Sequence, residues 1–140
     1  PDPAIGRLRR HHRLQLSGCA MGMERVVTLL EQSGSLPAPD AAHVYVVASG
    51  ARAEREALRL AEQLRDSSPQ WRVQVNLGGG NFKAQFRRAD KSGATVALIL
   101  GDAELDRGVV AVKPLRAESG QSDCAMAELP GRLAEMLAAK

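Results

Sequence analysis

Short β-branched and apolar runs alternate with longer amphipathic segments from residue 43 onward, and this alternation restricts the chain to a layered α/β fold. The first run, HVYVVAS (residues 43–49), has the continuous apolar character of a strand buried on both faces. Gly50 punctuates it. In residues 51–67, Ala53, Ala57, Leu60, Ala61 and Leu64 recur at helical spacing, and Glu54, Arg55, Glu56, Arg59, Glu62 and Arg65 fill the opposite face. Pairs three apart on that face, such as Arg59 with Glu62, add roughly a few tenths of a kcal/mol each. WRVQV (residues 71–75) alternates apolar with polar residues and reads as a strand with one solvated face. Asn81 is a candidate N-cap for a helix over residues 82–92, with Phe82, Phe86 and Ala89 toward the core and Gly93 at its end. TVALILG (residues 95–101) is the clearest strand. DAELDRG reads as an acidic turn, VVAVKPL supplies a strand from Val109, and a short strand is expected near residues 121–124. A closing helix carries Met126, Leu129, Leu133, Met136 and Leu137, with Pro130 early in it. The expected fold is α/β: a mixed, mostly parallel sheet of roughly five strands flanked by about three helices.

Before residue 43 the pattern changes. Residues 1–16 hold two prolines, four arginines and the pair His11 and His12 without any period, and are expected to be poorly ordered. In CAMGMERVVTLL (residues 19–30), Met23, Val26, Val27 and Leu30 recur at helical spacing, as in a short amphipathic helix. Residues 31–42, EQSGSLPAPDAA, have a linker's composition, and Gly34 and Pro37 interrupt any helix there. The expected division is therefore 1–31, a linker at 32–42, and a domain over 43–140.

A chain of 140 residues suffices for one domain with an appendage. Its hydrophobic share of 44% and charged share of 25% argue against disorder, and no apolar run approaches the ~20 residues of a spanning helix. Arg7, Arg9, Arg10 and Arg13 are followed by no apolar stretch of a secretory signal. Only Cys19 and Cys124 are present, far apart, so no disulfide framework or zinc site is expected. Both read as packing residues, and a reducing, cytoplasmic location is expected. Adjacent histidines without further ligands, and Asp102, Glu104 and Asp106 within one turn, read as solvated, so no metal is expected. The net charge of +3 is uneven: Arg72, Lys83, Arg87, Arg88 and Lys91 face the single acid Asp90 over one stretch. That imbalance fits either a polyanionic partner or an ordinary solvated helix face.

The most informative stretch is LGGGNFKAQFRRADKSGA. Gly78, Gly79 and Gly80 permit positive φ and close approach, and they place N–H groups beside a helix N-terminus whose dipole favours negative charge. The pattern is neither the dinucleotide fingerprint nor a Walker loop. Phosphate or a nucleic-acid backbone is one natural occupant; a plain βα connection into a basic helix is the other reading.

Three motifs then occur together: VASG at residues 47–50, GGGNFKxQFxxADxxGA at 78–94, and LGxxExxxGxVxVKxL at 100–115. Their combination resembles the anticodon-binding domain of class IIa aminoacyl-tRNA synthetases, the histidyl-tRNA synthetase branch in particular, over residues 43–140. A second stretch, SGCAMGMERVVTLLE (residues 17–31), is similar to motif 3 of class II synthetases, a strand and helix whose arginine contacts the ATP phosphates. Arg25 holds that position, with Gly18, Gly22 and Glu24 around it; a guanidinium suits a triphosphate because it keeps its charge and has several donors. Residues 1–16 do not match what the family places before motif 3, which suggests a foreign, truncated or frame-shifted start, and motifs 1 and 2 are not found.

The resemblance implies an N-terminal remnant of a catalytic domain joined to a domain that binds tRNA. In the intact enzyme it implies ATP with magnesium, histidine and histidine-specific tRNA as ligands, a homodimer, and no membrane. It places the tRNA contact on Gly78, Gly79, Gly80, Asn81, Lys83, Gln85, Arg87 and Arg88, and expects the chain alone not to aminoacylate. Two rivals remain open at this level: a free-standing paralogue that binds tRNA without catalysis, and an unrelated nucleotide-binding α/β domain that shares only the glycine loop.

Overall fold

In the computed structural model, residues 18–34 and 40–138 are described. The chain divides into two units, Pro1–Ala38 and Pro39–Lys140. The expectation for residues 1–16, and the histidine pair within it, lies outside the described residues.

In the first unit, α1 (Met23–Ser33) starts at Gly22 and stops where Gly34 turns left-handed at φ 66°. The helix therefore runs two residues into the stretch read as linker, and residues 18–22 form no strand. None of its residues is buried within the described structure. Among the described residues Cys19 is exposed, which corrects its reading as a packing residue.

The second unit is built on a five-stranded sheet ordered β2, β1, β3, β4, β5, from β1 (Val44–Ala48), β2 (Val73–Val75), β3 (Val96–Leu100), β4 (Val109–Pro114) and β5 (Ser122–Ala125). β1 pairs in parallel with β2 and β3, whereas the β3/β4 and β4/β5 pairs are antiparallel. The two central parallel strands, VYVVA and VALIL, are buried at every residue, as their unbroken apolar sequences require.

Alternate residues of these strands face two separate cores. On one face Val44, Val46, Leu98, Leu100, Val110 and Val112 pack with the stripe Ala53, Ala57, Leu60, Ala61 and Leu64 of α2 (Ala51–Ser67). Leu129 and Leu133 of α5 (Leu129–Ala138) join them, as does Cys124. Pro130 sits in the first turn of α5, where its missing N–H deprives the helix of nothing. On the other face Tyr45, Val47, Ile99 and Ala111 meet Ala89 of α3 (Phe82–Lys91), with Phe86 and Leu115 packed against them. Gly93 lets the chain leave α3: its φ is 75°, and a Cβ there would lie 2.8 Å from the Cβ of Ala41.

Three local expectations change. The acidic segment after β3 forms a short helix, α4 (Asp102–Arg107), with Asp102 and Glu104 in its first turn, Arg107 in its last, and Leu105 packed on the larger core. Among the described residues of the second unit, this short helix joins three longer ones around the sheet. Arg59 pairs with Glu56 rather than Glu62, which is taken by Arg65. Phe82 is 36% exposed, and Gln85 occupies the core position instead.

Candidate nucleic-acid interface

The parallel half of the sheet sends its chain connections out at one end, the carboxyl ends of β1, β2 and β3, where open α/β sheets place their ligand crevices. The glycine loop lies there. β2 makes its last sheet bond from the Asn76 N–H to the Val46 carbonyl, 2.9 Å, and Gly78, Gly79 and Gly80 then take φ values of 89°, 62° and 100°. Three successive residues in that region explain the triple glycine, because a Cβ would strain each of them. Asn81 caps α3 as expected, its Oδ1 accepting the Ala84 N–H at 2.9 Å.

Side chains from three elements hold the loop. Asn76, 9% exposed, donates through Nδ2 to the Gly79 carbonyl at 3.1 Å, and its Oδ1 accepts from the Tyr45 hydroxyl at 3.2 Å and from Arg88 at 3.0 Å. Arg88 also donates to the Gly79 carbonyl at 2.9 Å. Gln85, wholly buried, donates to the Gly80 carbonyl at 2.8 Å and the Ala48 carbonyl at 2.7 Å, and accepts from the Ala48 N–H at 3.0 Å. The N–H groups of Gly78, Gly79 and Gly80 have no acceptor among the described residues.

The structure thus brings Gly78, Gly79, Gly80, Asn81, Lys83, Arg87 and Arg88 onto one loop and helix, but it corrects the place of Gln85. That residue cannot meet a ligand directly, because its side chain is fully enclosed and both ends of its amide are spent on backbone groups. Arg88 is exposed yet folds back onto the loop. Lys83, Arg87 and Lys91 are exposed and form no ion pair among the described residues, while Asp90, the one acid of α3, is paired with Arg116 at 2.9 Å. Arg72 drops out of the basic cluster: it binds His43 and the Ala41 carbonyl and lies 3.6 Å from Asp40, where β2 begins rather than where it ends. His43 is accordingly structural.

Asn76, Tyr45 and Lys113 were not singled out by the sequence. The Lys113 ammonium of β4 lies 4.8 Å from the Phe86 ring centre, and Phe82 stands 6.5 Å from Phe86, so an aromatic pair on α3 meets a further cation. The loop also borders a groove of about 330 Å³, walled by Glu54, Arg55 and Leu58 of α2 and by Leu77 and Gly78.

Burial pushes the Tyr45 phenol up from its ordinary value, with the Arg88 charge opposing in part. A raised folded-state value means that the neutral phenol is favoured by folding. Its contribution is complete below pH about 10 and disappears as the pH rises through the folded value. Tyr45 is the only tyrosine in the chain. Titration of the phenolate absorbance is therefore expected to show a single midpoint above that of free tyrosine; a midpoint at or below it would contradict this environment.

In the first unit Gly18, Gly22, Glu24 and Arg25 are all exposed, and no atom of the described residues lies near enough to Gly18 to meet a Cβ. Among the described residues no group of three His, Cys, Asp or Glu side chains is placed to hold a metal ion, and no helix is long and apolar enough to cross a membrane.

The fold and this surface define an open, mixed-sheet α/β domain with a cationic glycine loop at the carboxyl end of its parallel half. Residues 43–136 match the family described as "Anticodon binding domain", and the chain belongs to that family. Among solved structures it is similar to histidyl-tRNA synthetase from Nostoc sp. PCC 7120, with 27% identity and a TM-score of 0.63 over 84% of this chain and 28% of that one. Apo histidyl-tRNA synthetase from S. aureus shares the fold at 24% identity and a TM-score of 0.61, over 79% of this chain and 28% of that one. The RNA binding domain of threonyl-tRNA synthetase from Cryptosporidium parvum Iowa II shares it at 13% identity and a TM-score of 0.62, over 68% and 23%. The chain spans between about a fifth and a third of the length of these structures.

Proposed function

We propose that the chain is the tRNA-binding, anticodon-reading portion of a histidine-tRNA ligase. The observation that carries this reading is the exposed glycine bend, with N–H groups unspent within the described residues, beside Lys83 and Arg87 on a helix whose only acid is already paired. Free N–H donors and unpaired cations suit phosphates, and the exposed edge of Phe82 offers a ring for an unstacked base, the combination by which proteins commonly grip single-stranded RNA loops. Histidine specificity is supported by the 27% identity to a histidyl-tRNA synthetase and by the three co-occurring motifs.

On this reading the intact ligase is a cytoplasmic homodimer that activates histidine with ATP and magnesium before transfer to tRNA. Arg25, with Gly18, Gly22 and Glu24, would then contribute to the triphosphate contact. These four residues are exposed, in a unit of their own. On the same reading, the chain alone is expected not to aminoacylate.

Titration with a synthetic anticodon stem–loop of histidine tRNA, with the same hairpin carrying a permuted anticodon, and with ATP tests the reading. The cognate hairpin is expected to bind at least about tenfold more tightly than the permuted one, since a wrong base costs nucleic-acid readers roughly 1–3 kcal/mol. Binding of ATP without binding of either hairpin would overturn it.

A further inference from the structure

The buried amide of Gln85 has no role in a direct RNA contact, yet every hydrogen bond it makes ends at the strand or loop beside the proposed interface. β2 is short, and its register with β1 ends at the Val46 and Val75 pair. Ala48 consequently has β3 on one side and no β2 residue on the other. The Gln85 side chain fills that vacancy: its Oε1 accepts from the Ala48 N–H and its Nε2 donates to the Ala48 carbonyl, as a peptide group of a neighbouring strand would. The same Nε2 reaches the Gly80 carbonyl. Asn76 and Arg88 hold the preceding carbonyl, that of Gly79.

Peptide planarity turns these anchors into a direction. The peptide bonds of the described residues are trans, so each carbonyl and the following N–H point opposite ways. Drawing the Gly79 and Gly80 carbonyls toward Asn76, Arg88 and Gln85 aims the N–H groups of Gly80 and Asn81 away from the domain. With three consecutive glycines the loop has no stiffness of its own, and side-chain anchors must supply it.

We propose that Gln85, assisted by Asn76, is a positioning residue for RNA recognition, setting the direction of the glycine-loop N–H groups without touching the ligand. The inference rests on the RNA-binding reading above. Its chemical content is specific: the bond that Gln85 donates to Gly80 fixes the loop, whereas its acceptor and its other donated bond serve the sheet at Ala48.

Backbone relaxation by NMR and hairpin titration on the full chain, with folding verified by thermal melting, provide the test. In the unmutated protein the amides of Gly79, Gly80 and Asn81 are expected to have order parameters of about 0.85, the value of rigid backbone. Gln85→Met removes all three bonds, and Gln85→Glu, assayed at a pH where its carboxyl is ionised, keeps an acceptor for the Ala48 N–H but loses the donor to the Gly80 and Ala48 carbonyls. Asn76→Ala releases the Gly79 carbonyl from one anchor and serves if a Gln85 variant fails to fold. In each folded variant the loop values are expected to fall below about 0.6 while those of Val96–Leu100 stay unchanged. Hairpin affinity is expected to drop about tenfold from lost pre-organisation. Rescue in Gln85→Glu would contradict the donor role, as would an undisturbed loop. A loosened loop with unchanged affinity would defeat the positioning claim and leave RNA binding standing. Failure of the unmutated chain to bind the hairpin would defeat both.

Discussion

Leu98→Ala is expected to lower the stability of the second unit by about 3 kcal/mol, within the roughly 2–5 kcal/mol range of buried leucine truncations. Leu98 lies in the middle of β3, wholly buried, opposite Val46 on one side and Val112 on the other, and facing the larger core. Removing three carbons there loses apolar burial and leaves a cavity that two flanking strands cannot close without breaking their ladders. A domain of this size has only about 5–15 kcal/mol in reserve, so the loss corresponds to a fall in melting temperature of roughly 10–20 °C. Urea denaturation is the check, with a lower midpoint and an unchanged slope. Leu77→Ala, at a side chain 75% exposed in the glycine loop, is the control and is expected to change stability by less than about 0.5 kcal/mol. A loss below about 1 kcal/mol for Leu98→Ala would mean that β3 is not the centre of the sheet.

Much of this architecture is legible from periodicity because burial and pattern coincide. The stripe in residues 51–67 lies on one side of α2, and the unbroken apolar runs of β1 and β3 are the strands buried on both faces. The Asn81 cap and the glycine conformations also follow from local chemistry alone. Gln85 does not, because a polar residue in a basic helix reads as solvent-facing. Its spacing of four from the buried Ala89 was the available signal, but burial of an amide is tolerated only where partners exist, and one of these is Ala48, far away in the chain. Arg72 shows the converse error: it neighbours the cationic helix in sequence, whereas the strand between them carries it to the opposite end of β2. Likewise DAELDRG is rich enough in acids to suggest a turn, and it is Leu105 packing on the core that favours α4.

The largest functional effect is expected at Lys83 and Arg87. Both side chains are exposed on the outer face of α3 without an acidic partner among the described residues, so their charges are available to an incoming anion and their loss leaves no buried group unsatisfied. Replacing both with Ala should therefore spare folding. It should weaken binding of the histidine anticodon hairpin by roughly 30-fold, taking about 1 kcal/mol for each exposed charge-assisted contact. Arg88 is a poorer target for this purpose, since its removal would also release the Gly79 carbonyl.

The salt dependence of that binding tests most directly whether the glycine loop and α3 receive phosphates. Each neutralised phosphate releases a counterion and adds about 0.7 to the slope of log affinity against log salt for single strands, or about 0.9 for duplex. The slope for the Lys83→Ala, Arg87→Ala double variant is expected to be shallower than that of the unmutated chain by roughly 1.4–1.8. Identical slopes for the two proteins would place the RNA elsewhere on the domain and contradict the account.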